Sequence, residues 1–392
     1  MSVTPLENVR VIDLTQVLAG PFCTQLLSTM GAEVIHVEPP WGGYATMLFR
    51  DTPLDVRRRI WATLERNKKN ITLNLRSEKG KEIFLELVKK GDVVMDNFGP
   101  GVMERLGLNY DVLSEVNPKI IYCALSGYGR TGPWKDRRAY DPCIQASTGV
   151  MITTGYADRR PVRAGPAISD CLGGLYAAIG ILLALHARDT ITGKGQIIDC
   201  AMYDASISVL VGEYARGNWS RMGNRYPFAV PSEVYETKDG KLEFISVQAD
   251  AQWEALMKAV GRENMAAKKL TMTERVKLAD EVDNILEAWT GAKTQEEIEK
   301  ILHEIKVPCA PVLELEEVVE NPHSAAREMF VEVDDMYGKI TGVPGVVPKL
   351  SDTPGVIKWG LIPSDAFNEE VYAGLLGYTK EELVKLKEEE II

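Results

Sequence analysis

The sequence predicts an α/β fold: a doubly wound, Rossmann-like parallel sheet in a large domain, joined to a smaller α+β domain. Three observations lead there. Short apolar strands alternate with helices through the first 205 residues, as βαβ units do. The chain of 392 residues is too long for one compact core. Beyond residue 231 the pattern changes to one hairpin followed by helix after helix. The expected order is a large domain over 1–205, a linker over 206–231, a small domain over 232–306, a second linker over 307–330 and a C-terminal segment over 331–392.

In chain order, VRVID (9–13) reads as a short buried strand. A helix follows over about 21–30, with Pro21 suited to its first turn and Gly31 ending it. AEVIHVE (32–38) is the next strand. The basic stretch RRRIWATLERNKK (57–69) lacks apolar periodicity and reads as a solvated charged face leading into the strand NITLNL (70–75). A serine cap and a glycine stop frame the amphipathic helix of 77–91. The strands DVVMDNF (92–98) and KIIYCALS (119–126) flank GPG at 99–101 and the helix VMERLGL.

The last of these strands runs into Gly127-Tyr-Gly-Arg-Thr-Gly132, literally GxGxxG. The dinucleotide fingerprint needs its third glycine to open a helix, whereas Pro133-Trp134-Lys135-Asp136 is loop chemistry. A nicotinamide site is therefore not expected, although the loop could line a ligand crevice. Later, DTITGKGQ (189–196) is a turn, QIIDCAM (196–202) a strand, and SEVYETKDGKLEFISV (232–247) a hairpin about Asp239-Gly240. Helices dominate 250–305, VPCAPVLELEEVVENP (307–322) is an exit segment, strands and turns fill 331–350, and Thr379 with Glu382 forms a capping box.

The stretch AGPAISDCLGGLYAAIGILLAL (164–185) is the expected centre of the molecule. It is apolar on every side, which predicts a buried helix, and Asp170 is placed to cap its start. The longest apolar run, about Leu175 to Leu185, is too short to span a bilayer. The opening residues lack a basic region followed by an apolar one, so no signal peptide is expected. Six scattered cysteines suggest reduced thiols and a cytoplasmic protein. Four isolated histidines offer no metal-ligand spacing, so no metal is expected. A net charge of −11 argues against nucleic-acid binding and requires a local cationic cluster for any anionic ligand.

Seven stretches in unbroken order resemble the class III CoA-transferase family, which includes formyl-CoA and crotonobetainyl-CoA transferases. They are 13–38, 67–82, 96–108, SGYGRTGP (126–133), AYDPCIQASTG (139–149), the ISD…GILLAL stretch (168–185) and TGKGQIIDCAMYD (192–204). The resemblance implies transfer of CoA from an acyl-CoA donor to a free carboxylic acid, with the CoA thioester as substrate and no permanently bound cofactor. It implies that Asp170 is the nucleophile, forming an aspartyl mixed anhydride. Leu18, Tyr140, Gly173 and Gly174 would form the substrate pocket, with first-turn amides near the two glycines stabilising oxyanions. Ala19, Leu73, Arg76, Asn97, Phe98, Gly99, Arg105 and Arg138 would hold CoA. Asp141 reads as a local cap or supporting group. The family's interlocked rings imply a homodimer, with the linkers wrapping the partner and the C-terminal segment returning to the large domain.

The sequence departs from formyl-CoA transferase at three places. Leu18 replaces a glutamine, Pro39-Pro40 replaces CoA-contacting arginines, and no glycine-rich covering loop is visible between Arg221 and Val247. Formyl and oxalyl substrates are therefore not expected, and Leu18 suits a larger, less polar acid. The related 2-methylacyl-CoA racemases carry histidine where Tyr140 stands, which argues against an isomerase. A CoA-binding protein without catalysis is the remaining alternative.

Overall fold

The computed structural model describes residues 3–43, 48, 50–216 and 220–392; residues 217–219 of the expected linker lie outside them. The chain forms two compact units, one of residues 1–151, 163–215 and 322–392, the other of 152–162 and 216–321.

The first unit is built on six parallel strands: β1 (Arg10–Asp13), β2 (Glu33–Glu38), β3 (Lys69–Thr72), β4 (Val93–Asp96), β5 (Ile121–Ser126) and β6 (Ile197–Ala201), in the order β3-β2-β1-β4-β5-β6. Ile12 pairs with Ile35 on one side and Val94 on the other. The central strands read as continuous apolar runs because both sheet faces are covered. One face carries Ile83, Phe84, Leu87 and Tyr372, the other Cys23, Leu27, Ala177 and Ile181. Strand order reverses between β1 and β4, and such a reversal opens a ligand crevice at the carboxyl ends of the strands.

The basic stretch before β3 is not a solvated face. Leu54–Leu64 is a helix, and Arg66, Asn67 and Lys68 beyond it are buried. The Arg66 guanidinium donates to Gln25 Oε1 (3.0 Å), Thr29 Oγ1 (3.1 Å) and the Pro344 carbonyl. Asn67 Nδ2 donates to the Val356 carbonyl at 2.6 Å, and Trp359 Nε1 donates to the Lys68 carbonyl at 3.1 Å. Asn368 Oδ1 accepts from the Thr72 N–H (3.0 Å), and the Tyr372 hydroxyl donates to the Thr72 carbonyl (2.6 Å). The C-terminal segment thus covers the β3 edge, which would otherwise offer unpaired strand groups to another chain.

The central helix runs Ile168–Ala187 and continues as a wider turn to Thr192. By length and composition it could cross a membrane, which corrects the shorter span expected from the sequence. Here it packs on β5, β6 and the helix Ala19–Thr29. It is not buried all round. Leu175, Tyr176, Ile179, Leu182 and Leu183 are 41–63% exposed, because the sheet and neighbouring helices can cover only one side of a cylinder.

The second unit holds an antiparallel sheet of Ser232–Glu236, Leu242–Ser246 and Cys309–Pro311, the last inside the stretch read as an exit segment. Trp253, Leu256, Val282, Leu286, Ile298 and Leu302 form its core. Thr271 and Thr294 close capping boxes with Glu274 and Glu297.

Candidate active site

A cleft of about 410 Å³ opens where β1, β4 and β5 end, lined by residues 16–19, 97–100, 125–128, 135 and 137–140, with Asp170 among them. Asp170 is the third residue of the central helix, not its cap, and no side chain of residue 167 caps it either. Asp141 does that work from 29 positions away in sequence. Its Oδ1 accepts the N–H groups of Ser169 (2.8 Å) and Asp170 (3.3 Å), and its Oδ2 accepts Gln145 Nε2 at 2.6 Å. Gln145 in turn accepts the Ala164 N–H at 2.8 Å. Asp141 therefore frees the Asp170 side chain for the cleft and adds a negative charge beside it. Burial first, and Asp141 second, push the Asp170 carboxyl up to about 7.

Gln16 to Ala19 form another part of the lining, with Thr15 just before them. The Asn97 amide grips Gln16 at both ends: Oδ1 accepts the Gln16 N–H at 2.7 Å, and Nδ2 donates to the Gln16 carbonyl at 2.8 Å. Thr15 donates its N–H (2.9 Å) and hydroxyl (2.6 Å) to Asp13 Oδ1. Between them Val17 has φ +68, a conformation that costs a β-branched residue about 1–3 kcal/mol and persists only where its surroundings enforce it.

Asp13 anchors this stretch from below. Its Oδ2 meets Thr24 Oγ1 (2.8 Å), Lys68 Nζ (3.1 Å) and His36 Nδ1 (3.2 Å), and Lys68 also reaches Glu65 at 2.8 Å. Burial opposes the Asp13 charge, but Lys68 and His36 hold the carboxyl well below the usual carboxylate range. Burial likewise opposes the His36 charge, yet Glu65 and Asp13 push it up to about 10. Asp13, His36 and Glu65 bring metal-type donors within 4.8 Å of one another. The Lys68 ammonium already stands among them as the fixed cation.

Of the residues singled out in the sequence, Leu18, Ala19, Asn97, Phe98, Gly99, Arg138, Tyr140 and Asp170 line the cleft. Five do not. Gly173 and Gly174 are packing positions: a Cβ on Gly173 would lie 2.9 Å from Met202 Cγ, and one on Gly174 2.6 Å from the Ala19 carbonyl oxygen. Their N–H groups lie beyond the helix's first turn, and those of Ser169 and Asp170 go to Asp141, so this helix has no oxyanion donors to spare at the glycines. Leu73 is 1% exposed within the core. Arg76 stacks its guanidinium 5.4 Å from the Trp41 ring, and Arg105 donates to the Pro100 carbonyl at 3.2 Å. Both stand at the strand ends but outside the cleft lining. The Gly127–Gly132 loop opens no helix; the Arg130 N–H is tied to Asp199 on β6 at 3.1 Å, and the next helix is Asp141–Thr148.

Lys135, Arg137 and Val17 line the cleft without having been singled out for it. The WKDRR composition of 134–138 signals a cationic loop, and Arg137 sits 4.4 Å from the Trp134 ring. No local pattern announces a strained valine.

The profile of CoA-transferase family III matches residues 6–365. The chain is 36% identical over 396 residues to the succinyl-CoA–D-citramalate CoA-transferase of Chloroflexus aurantiacus, covering 99% of this chain and 98% of that one. It is 34% identical over the whole of both chains to the formyl-CoA:oxalate CoA-transferase of Streptomyces coelicolor. Among solved structures, a CAIB/BAIF family protein from Brucella suis superposes with a TM-score of 0.80 at 31% identity, covering 95% of this chain and 100% of that one. The hypothetical protein Rv3272 from Mycobacterium tuberculosis gives 0.81 at 27% identity, covering 94% and 98%.

Proposed function

The chain belongs to CoA-transferase family III, and from that premise we propose that it moves CoA between carboxylic acids through an aspartyl mixed anhydride on Asp170. The observation that carries this reading is a half-buried carboxylate with no ion pair among the described residues, raised to about 7, in a cleft at the strand-order reversal. The Asp170 oxygen attacks the thioester carbonyl carbon, the carbon–sulfur bond breaks, and CoA leaves as thiolate. The anhydride keeps the activation of the thioester. The thiolate attacks the aspartyl carbonyl carbon, the donor acid leaves as carboxylate and an aspartyl thioester remains. The incoming carboxylate displaces CoA from it to form a second anhydride, and the thiolate then takes the new acyl group and releases Asp170 as carboxylate. No net proton or electron is consumed.

For substrates we propose a succinyl-type donor and a short dicarboxylic acceptor. Relatives at 36% identity are named for succinyl-CoA with citramalate or malate. Lys135, Arg137 and Arg138 on one wall suit a second carboxylate or CoA phosphates, while Leu18 suits the carbon chain between carboxyl groups. A second copy of the chain is proposed to cover the exposed apolar face of the central helix, making the homodimer. Leu182→Glu is then expected to shift the sedimentation of micromolar protein from dimer toward monomer.

The covalent route is tested by incubating the protein with succinyl-CoA, trapping with hydroxylamine or borohydride, and locating the adduct by mass spectrometry. Modification at Asp170 is expected. An unmodified Asp170 peptide in enzyme that still turns over would exclude the anhydride. An exchange screen of acetyl-, succinyl- and hydroxyacyl-CoA donors against a library of acids tests the substrate class.

A further inference from the structure

We propose that Asn97 is a positioning residue for the transfer reaction: its amide holds the strained Gln16–Val17–Leu18 turn against the cleft. The inference rests on the Asp170 reading for what the turn faces. Both polar ends of the Asn97 amide are engaged by the Gln16 main chain, at 2.7 and 2.8 Å. Glycine is the default residue for the φ of +68 that Val17 adopts. Of the non-glycine residues at positive φ, Asn67, Lys306, Glu328 and Glu390 are unbranched at Cβ and do not line this cleft; Val17 is branched and does.

The turn is locked from three sides. Upstream, Thr15 is fixed to the buried Asp13. Downstream, the Phe22 N–H donates to the Leu18 carbonyl at 2.8 Å and starts the helix Ala19–Thr29. Laterally, a Cβ on Gly20 would sit 2.4 Å from Thr15 Cβ and 3.0 Å from Asn97 Cγ, so the backbone there touches both clamps. Without Asn97, nothing described pairs with the Gln16 N–H and carbonyl, and Val17 can relax to ordinary φ. That would move Leu18 and Ala19, which line the cleft with Asp170. The helix 19–29 begins with no side-chain cap and no acidic residue in its first turn.

A clamp that sets geometry affects the chemical step more than CoA affinity. With succinyl-CoA as donor, Asn97→Ala is expected to lower kcat at least ~30-fold while KM for the thioester stays within ~3-fold. The double variant Val17→Gly/Asn97→Ala is expected to regain at least ~10-fold of that loss, because glycine holds positive φ without the clamp. A raised KM with kcat preserved, or a double variant no more active than Asn97→Ala, would overturn the proposal. Should Asn97→Ala not fold, Asn97→Asp keeps the oxygen that accepts from Gln16, and the same rescue by Val17→Gly is read on it. Asp170→Ala, followed in parallel by exchange rate and CoA binding, separates the two ideas. Residual exchange there refutes the nucleophile, whereas the glycine rescue reports on the clamp alone.

Discussion

Removing the Asp141 charge is expected to lower the pH at which the enzyme becomes active. With the Asp170 carboxyl at about 7, about half of it is ionised at pH 7 and about a tenth at pH 6, so attack on the thioester should rise about tenfold per unit below 7 and level off above it. The displacement from 3.8 amounts to about 4 kcal/mol between the two protonation states. Burial is its larger cause and Asp141 the smaller. Asp141→Asn deletes only the smaller, so the midpoint should fall below 7 yet stay above that of a solvated carboxyl. The substitution has a structural cost too. The asparagine oxygen can still accept from Ser169 and Asp170, but its NH2 would face Gln145 Nε2, now 2.6 Å from Asp141 Oδ2. Gln145 must then flip and give up the Ala164 N–H, at about 1–3 kcal/mol. The assay is kcat/KM for succinyl-CoA between pH 5 and 9, with the melting temperature followed beside it. A flat wild-type profile over that range, or a midpoint that rises in Asp141→Asn, would refute the electrostatic reasoning.

Asp170→Asn should be more stable than the parent at pH 8, with the difference fading as pH falls toward 4. The folded-state pKa lies above the unfolded one, so ionising the carboxyl opposes folding as pH rises between them, with ~4 kcal/mol as the ceiling; equal melting curves at pH 8 would contradict it. Lys68→Met leaves the buried Asp13 and Glu65 with the His36 cation alone and should cost about 3–5 kcal/mol in urea unfolding; a loss below ~1 kcal/mol would show that His36 suffices to hold the carboxylates. Gly174→Ala puts a Cβ 2.6 Å from a backbone oxygen of the helix 19–29 and should cost about 1–3 kcal/mol. Gly173→Ala meets the flexible Met202 side chain instead and should cost less, so the reverse order in thermal melts would overturn the packing argument.

What the sequence makes legible divides along the distance between cause and effect. Ser77 accepts the Gly80 N–H, Thr379 and Glu382 close their capping box, and the hairpin about Asp239-Gly240 pairs Glu236 with Leu242, all as read. Each is decided within a few residues. The βαβ pattern of the first unit is equally local, since both sheet faces are covered and leave unbroken apolar strands. The misread stretch is 57–69, where charge alone suggests solvent. Its Arg66, Asn67 and Lys68 are buried because their partners arrive from Asp13 and Gln25 and from the C-terminal segment at 344–359. No window of sequence around Lys68 contains those groups.

The same distinction explains the candidate site. Position 170 is singled out as a nucleophile by the family resemblance, whereas the local pattern assigns it the duty that Asp141 performs. A helix start needs an acceptor for its early N–H groups, and the first acid in the helix is the economical guess. Supplying that acceptor from a helix 29 residues earlier leaves the nearer carboxylate uncommitted, and places a second negative charge that adds to the larger effect of burial in holding the first one up near neutrality. Capping and activation are thus one interaction seen from its two ends. A substitution at 141 should therefore move the pH profile and the stability of the helix start together, whereas an Asp170 that served only as a cap would tie neither to position 141.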